Sequence, residues 1–175
     1  GAFPIEVPAD LVAEDFDDDG TVDLAISSNE TLAVEVLSGR GDGTFEPLGG
    51  VAIPEPPVSL TSGDYNADGH LDIFVDGIFN SGALLGRGDG TFTATPFFES
   101  FLGSFLPLVT DDINGDGHPD VVGINEQRDQ AVLLRGLGDG NFEEPELAGV
   151  GQSPSGAATA DLDGDGQLDI LTANS

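Results

Sequence analysis

The sequence predicts an all-β chain built from four-stranded antiparallel units of the kind that form β-propeller blades. Three observations lead there. The nine-residue pattern D-x-[DN]-x-D-G-x-x-D occurs four times, as Asp15 to Asp23, Asp64 to Asp72, Asp112 to Asp120 and Asp161 to Asp169, with first aspartates 49, 48 and 49 residues apart. A second motif keeps step with it: Gly41-Asp42-Gly43-Thr44-Phe45, Gly88-Asp89-Gly90-Thr91-Phe92 and Gly138-Asp139-Gly140-Asn141-Phe142. Asp-Gly between apolar runs signals a tight hairpin, because glycine supplies the positive φ of the turn. Between these points the apolar residues fall in short runs rich in β-branched and aromatic side chains, which suits strands better than helices.

Each unit then reads as four strands. Strand A leads into the aspartate loop, as in Leu11-Val12-Ala13, Leu60-Thr61-Ser62, Leu108-Val109-Thr110 and Ala157-Ala158-Thr159, its residues becoming small as a crowded inner strand requires. Strand B leaves the loop, as in Leu24-Ala25-Ile26, Ile73-Phe74-Val75, Val121-Val122 and Ile170-Leu171. Strand C, such as Val34-Glu35-Val36-Leu37 or Ala131-Val132-Leu133-Leu134, enters the Gly-Asp-Gly turn, and strand D follows the Phe. Pro8, Pro57 and Pro154 mark the same bend before the next strand A. The units run over 8–56, 57–104 and 105–153, with a partial unit at 154–175 that lacks strand C, and residues 1–7 read as a leading outer strand. A fixed period of four-stranded units is the sequence signature of propeller blades, which a sandwich does not need.

Composition narrows the function. The chain has 33 acidic and 4 basic residues, a formal charge of −29, and no membrane-spanning apolar run. A surface of that sign cannot neutralise phosphate, so nucleic-acid binding and membrane insertion are excluded as expectations. With no cysteine, neither a disulfide framework nor a thiolate metal site is available. At 175 residues and 38% hydrophobic content the chain is long and apolar enough for a packed core.

The loops call for a hard divalent cation. Side chains at positions 1, 3, 5 and 9 and the carbonyl of position 7 can converge on one ion, with glycine at position 6 allowing the reversal. The expected ligands are Asp15, Asp17, Asp19, Thr21 and Asp23 in the first loop, and Asp64, Asn66, Asp68, His70 and Asp72 in the second. The third uses Asp112, Asn114, Asp116, His118 and Asp120, and the fourth Asp161, Asp163, Asp165, Gln167 and Asp169. About four Ca2+ ions are therefore expected, and loops of this kind match the millimolar calcium outside cells. An EF-hand fails at position 12, which wants an acid and here is Ile26, Val75, Gly123 or Thr172. Position 2, occupied by Phe16, Tyr65, Ile113 or Leu162, is expected to be a buried anchor for its loop.

With both motifs in register, the chain resembles the FG-GAP/VCBS repeat family, on residues such as Asp64-Tyr65-Asn66-Ala67-Asp68-Gly69-His70-Leu71-Asp72 and Leu84-Leu85-Gly86-Arg87-Gly88-Asp89-Gly90-Thr91-Phe92. The resemblance implies the calcium-loaded propeller of integrin α-subunit heads and some fungal lectins, usually seven-bladed, and a role in adhesion, recognition or carbohydrate binding. Seven such blades need about twice this length, and an open propeller exposes unpaired backbone at its ends. The expectation is therefore an extracellular structural or adhesive module, secreted or at the cell surface. It would assemble with itself, by ring closure or head to tail, or with the rest of a larger chain. A carbohydrate-binding lectin is the alternative. A polysaccharide-active enzyme ranks below both, because no nucleophile or histidine-centred constellation is present.

Several sharper readings have plainer competitors. Arg40-Gly41-Asp42 and Arg87-Gly88-Asp89 spell an integrin-ligand tripeptide, but turn geometry accounts for their Gly and Asp. His70 and His118 occupy loop position 7, where only the carbonyl is needed, so their side chains are expected to face solvent. Phe92, Phe97, Phe98, Phe101 and Phe105 form an aromatic stretch best read as packing between blades, with an apolar contact surface as the other reading. Asn29-Glu30-Thr31 is a glycosylation sequon of a kind common by chance.

Overall fold

The computed structural model describes residues 7–99 and 108–175. The expected leading strand, the boundary between the second and third units, and Phe101 and Phe105 lie outside the described residues, Val7 apart. What is described is all-β: three antiparallel sheets and a two-stranded remainder.

The first sheet is β1 (Pro8–Glu14), β2 (Asp23–Ser28), β3 (Ala33–Gly39) and β4 (Phe45–Ala52), paired in that order. The second is β5 (Pro57–Gly63), β6 (Asp72–Gly77), β7 (Asn80–Gly86) and β8 (Phe92–Ala94), with β9 (Phe98–Glu99) also on β7. The third is β10 (Leu108–Asp111), β11 (Asp120–Asn125), β12 (Gln130–Leu134) and β13 (Glu146–Gly149), with one 3-10 turn at Glu126–Arg128. Last come β14 (Gly156–Ala160) and β15 (Asp169–Ala173), which pair only with each other. Each sheet is a meander blade; the fourth stops after strand B.

The expected strand D is corrected in two blades. In the second it is broken at Pro96 into β8 and β9, and in the third it does not follow Phe142, which makes only a bridge to Gly136 before β13 begins at Glu146. Proline at 96 and 145 offers no N–H to the ladder, so pairing lapses there. In the first blade a bulge between Val36 and Leu37 lets β4 run past Pro47.

Inner strands β1, β5, β10 and β14 lie side by side, each blade against the next. They are joined by polar links: the Asp10 carboxylate accepts from Ser59 Oγ and the Leu60 amide, both at 2.9 Å. Thr61 and Thr110 hydroxyls meet at 2.8 Å, and Thr159 Oγ1 donates to Asp111 at 2.7 Å. The expected crowding of strand A holds for Leu60, 5% exposed, but not for its counterpart Leu11, which is 55% exposed and has no blade packed on its outer side among the described residues.

Two cores fill the spaces between blades. Phe16, Val34, Val36 and Ile53 of the first blade pack on Leu60, Ile73, Val75 and Leu84 of the second. Tyr65, Phe74 and Ala83 of the second pack on Val121 and Leu134 of the third. Phe92 and Phe97 join the first core and Phe98 the second, so the described part of the aromatic stretch is packing between blades. Opposite faces of one sheet feed different cores, the period-2 alternation of a strand covered on both sides.

Candidate metal loops

The four loops share one local structure. The carboxylate of position 1 folds back over the turn: Asp15 Oδ2 accepts the Gly20 amide at 2.8 Å, as Asp64 does for Gly69 at 3.0 Å, Asp112 for Gly117 at 2.9 Å and Asp161 for Gly166 at 3.0 Å. Position 5 accepts from the amide two residues on, at Thr21, His70, His118 and Gln167. The reversal needs two left-handed residues rather than one. Gly20, Gly69, Gly117 and Gly166 hold φ between 86° and 90°, and position 4 is left-handed too, at Asp18 (58°), Ala67 (58°), Gly115 (74°) and Gly164 (78°).

This folding draws the acids together. Oxygens of Asp15, Asp17 and Asp19 lie within 4.8 Å of one another, as do those of Asp161, Asp163 and Asp165. In the middle loops Asn66 and Asn114 take position 3, and their side-chain amides reach Asp68 and Asp116 at 2.9 and 2.8 Å. The asparagine thus supplies an uncharged hydrogen-bond donor where the outer loops place a third carboxylate. Carboxylates about 4 Å apart repel by roughly 1 kcal/mol even in water. A cluster of hard oxygens with no nitrogen or sulfur donor fits Ca2+, which takes oxygen ligands only.

Position 9 is bound differently. Asp23, Asp72 and Asp120 are fully buried, and each carboxylate bridges two parts of its blade. Asp23 accepts from the amides of Phe16 (2.9 Å) and Gly39 (2.8 Å), Asp72 from Tyr65 (2.9 Å) and Gly86 (2.7 Å), and Asp120 from Ile113 (3.0 Å) and Gly136 (2.9 Å). Burial pushes all three carboxyls above the usual carboxylate range, Asp72 to about 6, against the lowering by their backbone donors. Asp169 takes the Leu162 amide at 3.1 Å, and no strand C pairs with β15 among the described residues.

The glycine on the other side of that bridge was not singled out by the sequence reading. At Gly39, Gly86 and Gly136 the carbonyl of Val22, Leu71 or Pro119 occupies the place where a Cβ would stand. Its signal was present in register, as the first glycine of Gly39-Arg40-Gly41-Asp42-Gly43 and its repeats. The strand C amide can reach the position-9 carboxylate only because no side chain intervenes.

Adjacent blades lock the loops from outside. The Gly90 amide donates to the Phe16 carbonyl at 3.1 Å and the Gly140 amide to the Tyr65 carbonyl at 3.0 Å, so the turn of one blade caps the loop of the blade before it. The Phe after the turn lands on the same anchor, Phe92 on Phe16 at 5.6 Å between centroids and Phe142 on Tyr65 at 5.4 Å. The expected burial of position 2 therefore holds for Phe16 and Tyr65, each 1% exposed, and not for Leu162, 64% exposed, while Ile113 is half-buried. A complete following blade is what buries an anchor.

The His70 side chain faces solvent as expected, 38% exposed, but it also makes a contact the sequence did not suggest, while His118 is partly covered. His70 Nδ1 meets Asp18 Oδ2 at 2.7 Å, joining the second loop to the first, and this hydrogen bond is the main reason its pKa is raised. The rings of His70 and His118 sit over Gly88 and Gly138 of their own blades' turns. His118 Nδ1 is buried with no hydrogen-bond partner, because the residue matching Asp18 is Ala67. The tripeptide aspartates are spent on their turns: Asp42 accepts from the Thr44 amide and hydroxyl at 2.9 and 2.6 Å, and Asp89 likewise from Thr91. Arg40 pairs with Glu46, and Arg87 donates to Thr93. No helix among the described residues is long and apolar enough to cross a membrane.

Comparison with known proteins agrees with this architecture. One similar solved structure is of an Agrocybe aegerita lectin, described by its specific recognition of non-reducing terminal N-acetylglucosamine; it is 22% identical with a TM-score of 0.61, over 91% of this chain and 45% of that one. Another is the V. cholerae biofilm matrix protein Bap1, 18% identical with a TM-score of 0.56, over 95% of this chain and 23% of that one. The chain thus spans less than half the length of either. No curated protein sequence matches it. The FG-GAP-like repeat model matches residues 15–75 and 112–172, more than half of the sequence, and the chain belongs to the FG-GAP-like repeat family.

Proposed function

We propose that this chain is an extracellular, calcium-stabilised propeller module with a structural or adhesive role, non-catalytic, acting in assembly with itself or with the rest of a larger protein. The observation that carries the reading is the repeated loop. Four oxygen-lined turns recur in register, and the first two are capped by the following blade, so an ion held in either would tie loop to blade and blade to blade. Asp15, Asp17 and Asp19, their counterparts, and the carbonyls of Thr21, His70, His118 and Gln167 would hold the ions. When bound, Ca2+ supplies charge neutralisation to a cluster that otherwise repels itself. Millimolar calcium is available outside cells, which suits loops of this type.

A carbohydrate-binding role is the second reading. It is favoured by an open groove of about 560 Å³ between the second and third blades, lined by Phe97, Phe98 and Phe142 with Glu99, Glu143 and Glu144. Apolar faces beside hydrogen-bonding groups are what a sugar ring requires. Mass in solution with and without calcium, measured beside glycan-array binding, separates the two. Calcium-dependent assembly without glycan binding supports the structural role, whereas glycan binding by a calcium-indifferent monomer overturns it.

A further inference from the structure

Asn114-Gly115, in the third loop, is the single Asn-Gly pair of the chain. Asn66 and Asn114 occupy the same loop position and make the same bonds. Each Oδ1 accepts the amide two residues on, from Asp68 at 3.0 Å and Asp116 at 2.9 Å, and each Nδ2 donates to that aspartate's carboxylate. The residue in between differs: Ala67 in the second loop and Gly115 in the third, both left-handed with φ of 58° and 74°. The Gly115 amide donates to Asp112 Oδ1 at 2.8 Å, whereas Asp64 receives the amides of Asp68 and Gly69. Gly115 is exposed, and the place where its Cβ would stand has nothing within 4 Å.

These features prepare a reaction of the chain with itself. The hydrogen bond from the Asp116 amide folds the Asn114 side chain forward along the chain, towards the peptide that contains the Gly115 nitrogen. The same N–H faces the oxygen on which negative charge grows when Cγ is attacked. Glycine leaves the attacking nitrogen without the Cβ that would hinder its approach. We propose that Asn114 deamidates spontaneously, with the Gly115 backbone nitrogen as nucleophile, and that the aspartate product gives the third loop the three-carboxylate set of the first and fourth. The bond from the Gly115 nitrogen to Asn114 Cγ forms and the Cγ–Nδ2 bond breaks. The Gly115 amide proton, which already points at Asp112 Oδ1, leaves with Nδ2 as ammonia. Water then opens the cyclic imide, its hydroxyl going to a carbonyl carbon and its remaining hydrogen to the nitrogen. Cleavage at Cγ yields aspartate, and cleavage at the main-chain carbonyl yields isoaspartate. The aspartate product loses the Nδ2 bond to Asp116 and gains the carboxylate that Asp17 and Asp163 bring to their clusters. The reaction needs no ion, so it goes beyond the calcium reading and does not depend on it.

The test incubates the full chain in neutral buffer with EDTA and follows Asn66 and Asn114 by peptide mass mapping, with electron-transfer fragmentation to separate aspartate from isoaspartate. Conversion at Asn114 is expected to run about tenfold or more faster than at Asn66, equivalent to roughly 1.4 kcal/mol in the barrier. Ala67→Gly is expected to raise Asn66 to the Asn114 rate, and Gly115→Ala to lower Asn114 to the Asn66 rate. The first of these relieves a left-handed alanine, so the comparison survives even where the second disturbs its loop. Equal rates at the two asparagines overturn the proposal, as does a folded chain that resists while the same chain in urea converts. For the product, Asn114→Asp is expected to unfold in EDTA at a lower midpoint than the parent, and an unchanged midpoint overturns the consequence drawn for the loop. Calcium titration of the unconverted chain tests the functional reading separately, so failure of either is recognised apart from the other.

Discussion

The Gly86 amide donates to the fully buried carboxylate of Asp72 at 2.7 Å, across a gap that the Leu71 carbonyl leaves too small for any side chain. This contact fastens the aspartate loop to strand C, so each complete blade is a loop tied at both ends. The first expected outcome is therefore that Gly86→Ala costs about 3 kcal/mol, from overpacking against backbone and from weakening a hydrogen bond to a buried acid. Urea denaturation at constant calcium measures it, and a loss below about 0.5 kcal/mol would show that the close approach is not fixed.

Ala67 holds φ of 58°, where the third and fourth loops use glycine. A left-handed non-glycine residue costs roughly 1–2 kcal/mol, partly offset by the entropy that glycine adds to the unfolded chain. Ala67→Gly is expected to stabilise the protein by about 0.5 kcal/mol. Asp18→Gly, relieving the same strain but removing the partner of His70, is expected to gain less; equal gains in paired denaturation curves would discount the His70 contact.

Phe142 packs edge-on against Tyr65 and Phe74, at 5.4 and 5.1 Å, and lies 6.4 Å from Phe98. Phe142→Ala is expected to cost about 3 kcal/mol by opening the boundary between the second and third blades. Hydrogen exchange checks the location, with β10–β13 loosening more than β1–β4.

In the metal-free protein, burial raises the Asp72 carboxyl from 3.8 to about 6, and Asp23 and Asp120 move the same way. The folded state then holds a proton that the unfolded state has released, so stability is greatest below about pH 4 and falls as pH rises through about 6. The Asp72 contribution is on the order of 3 kcal/mol. Asp68 and Asp116, lowered by hydrogen bonds from the loop, act in the opposite sense but are exposed and contribute little. In EDTA, the denaturation midpoint is expected to be higher at pH 4.5 than at pH 7, and Asp72→Asn to flatten that slope.

The repeat, the strand order and the buried Phe16 and Tyr65 were legible because each follows from spacing or from apolar pattern. The bridging of strand C by Asp23, Asp72 and Asp120 was not, since an aspartate expected as a metal ligand already has a sufficient reason to be there. Nor was the left-handed position 4, which Asp18 and Ala67 disguise and only Gly115 and Gly164 betray. The exposure of Leu162 escaped a reading of single loops because an anchor is buried by the next blade, not by its own sequence. His70 lay beyond reach for a similar reason: its partner, Asp18, sits one repeat away.

As proposed above, these loops hold calcium and calcium holds the blades. The most direct measurement is the thermal unfolding midpoint in EDTA against millimolar calcium, with the number of ions counted by calorimetry on the same sample. Binding of about four ions with a large upward shift is expected, each site adding about 2.7 kcal/mol at one hundred times its Kd. An unchanged midpoint, or no calcium bound, would contradict the account.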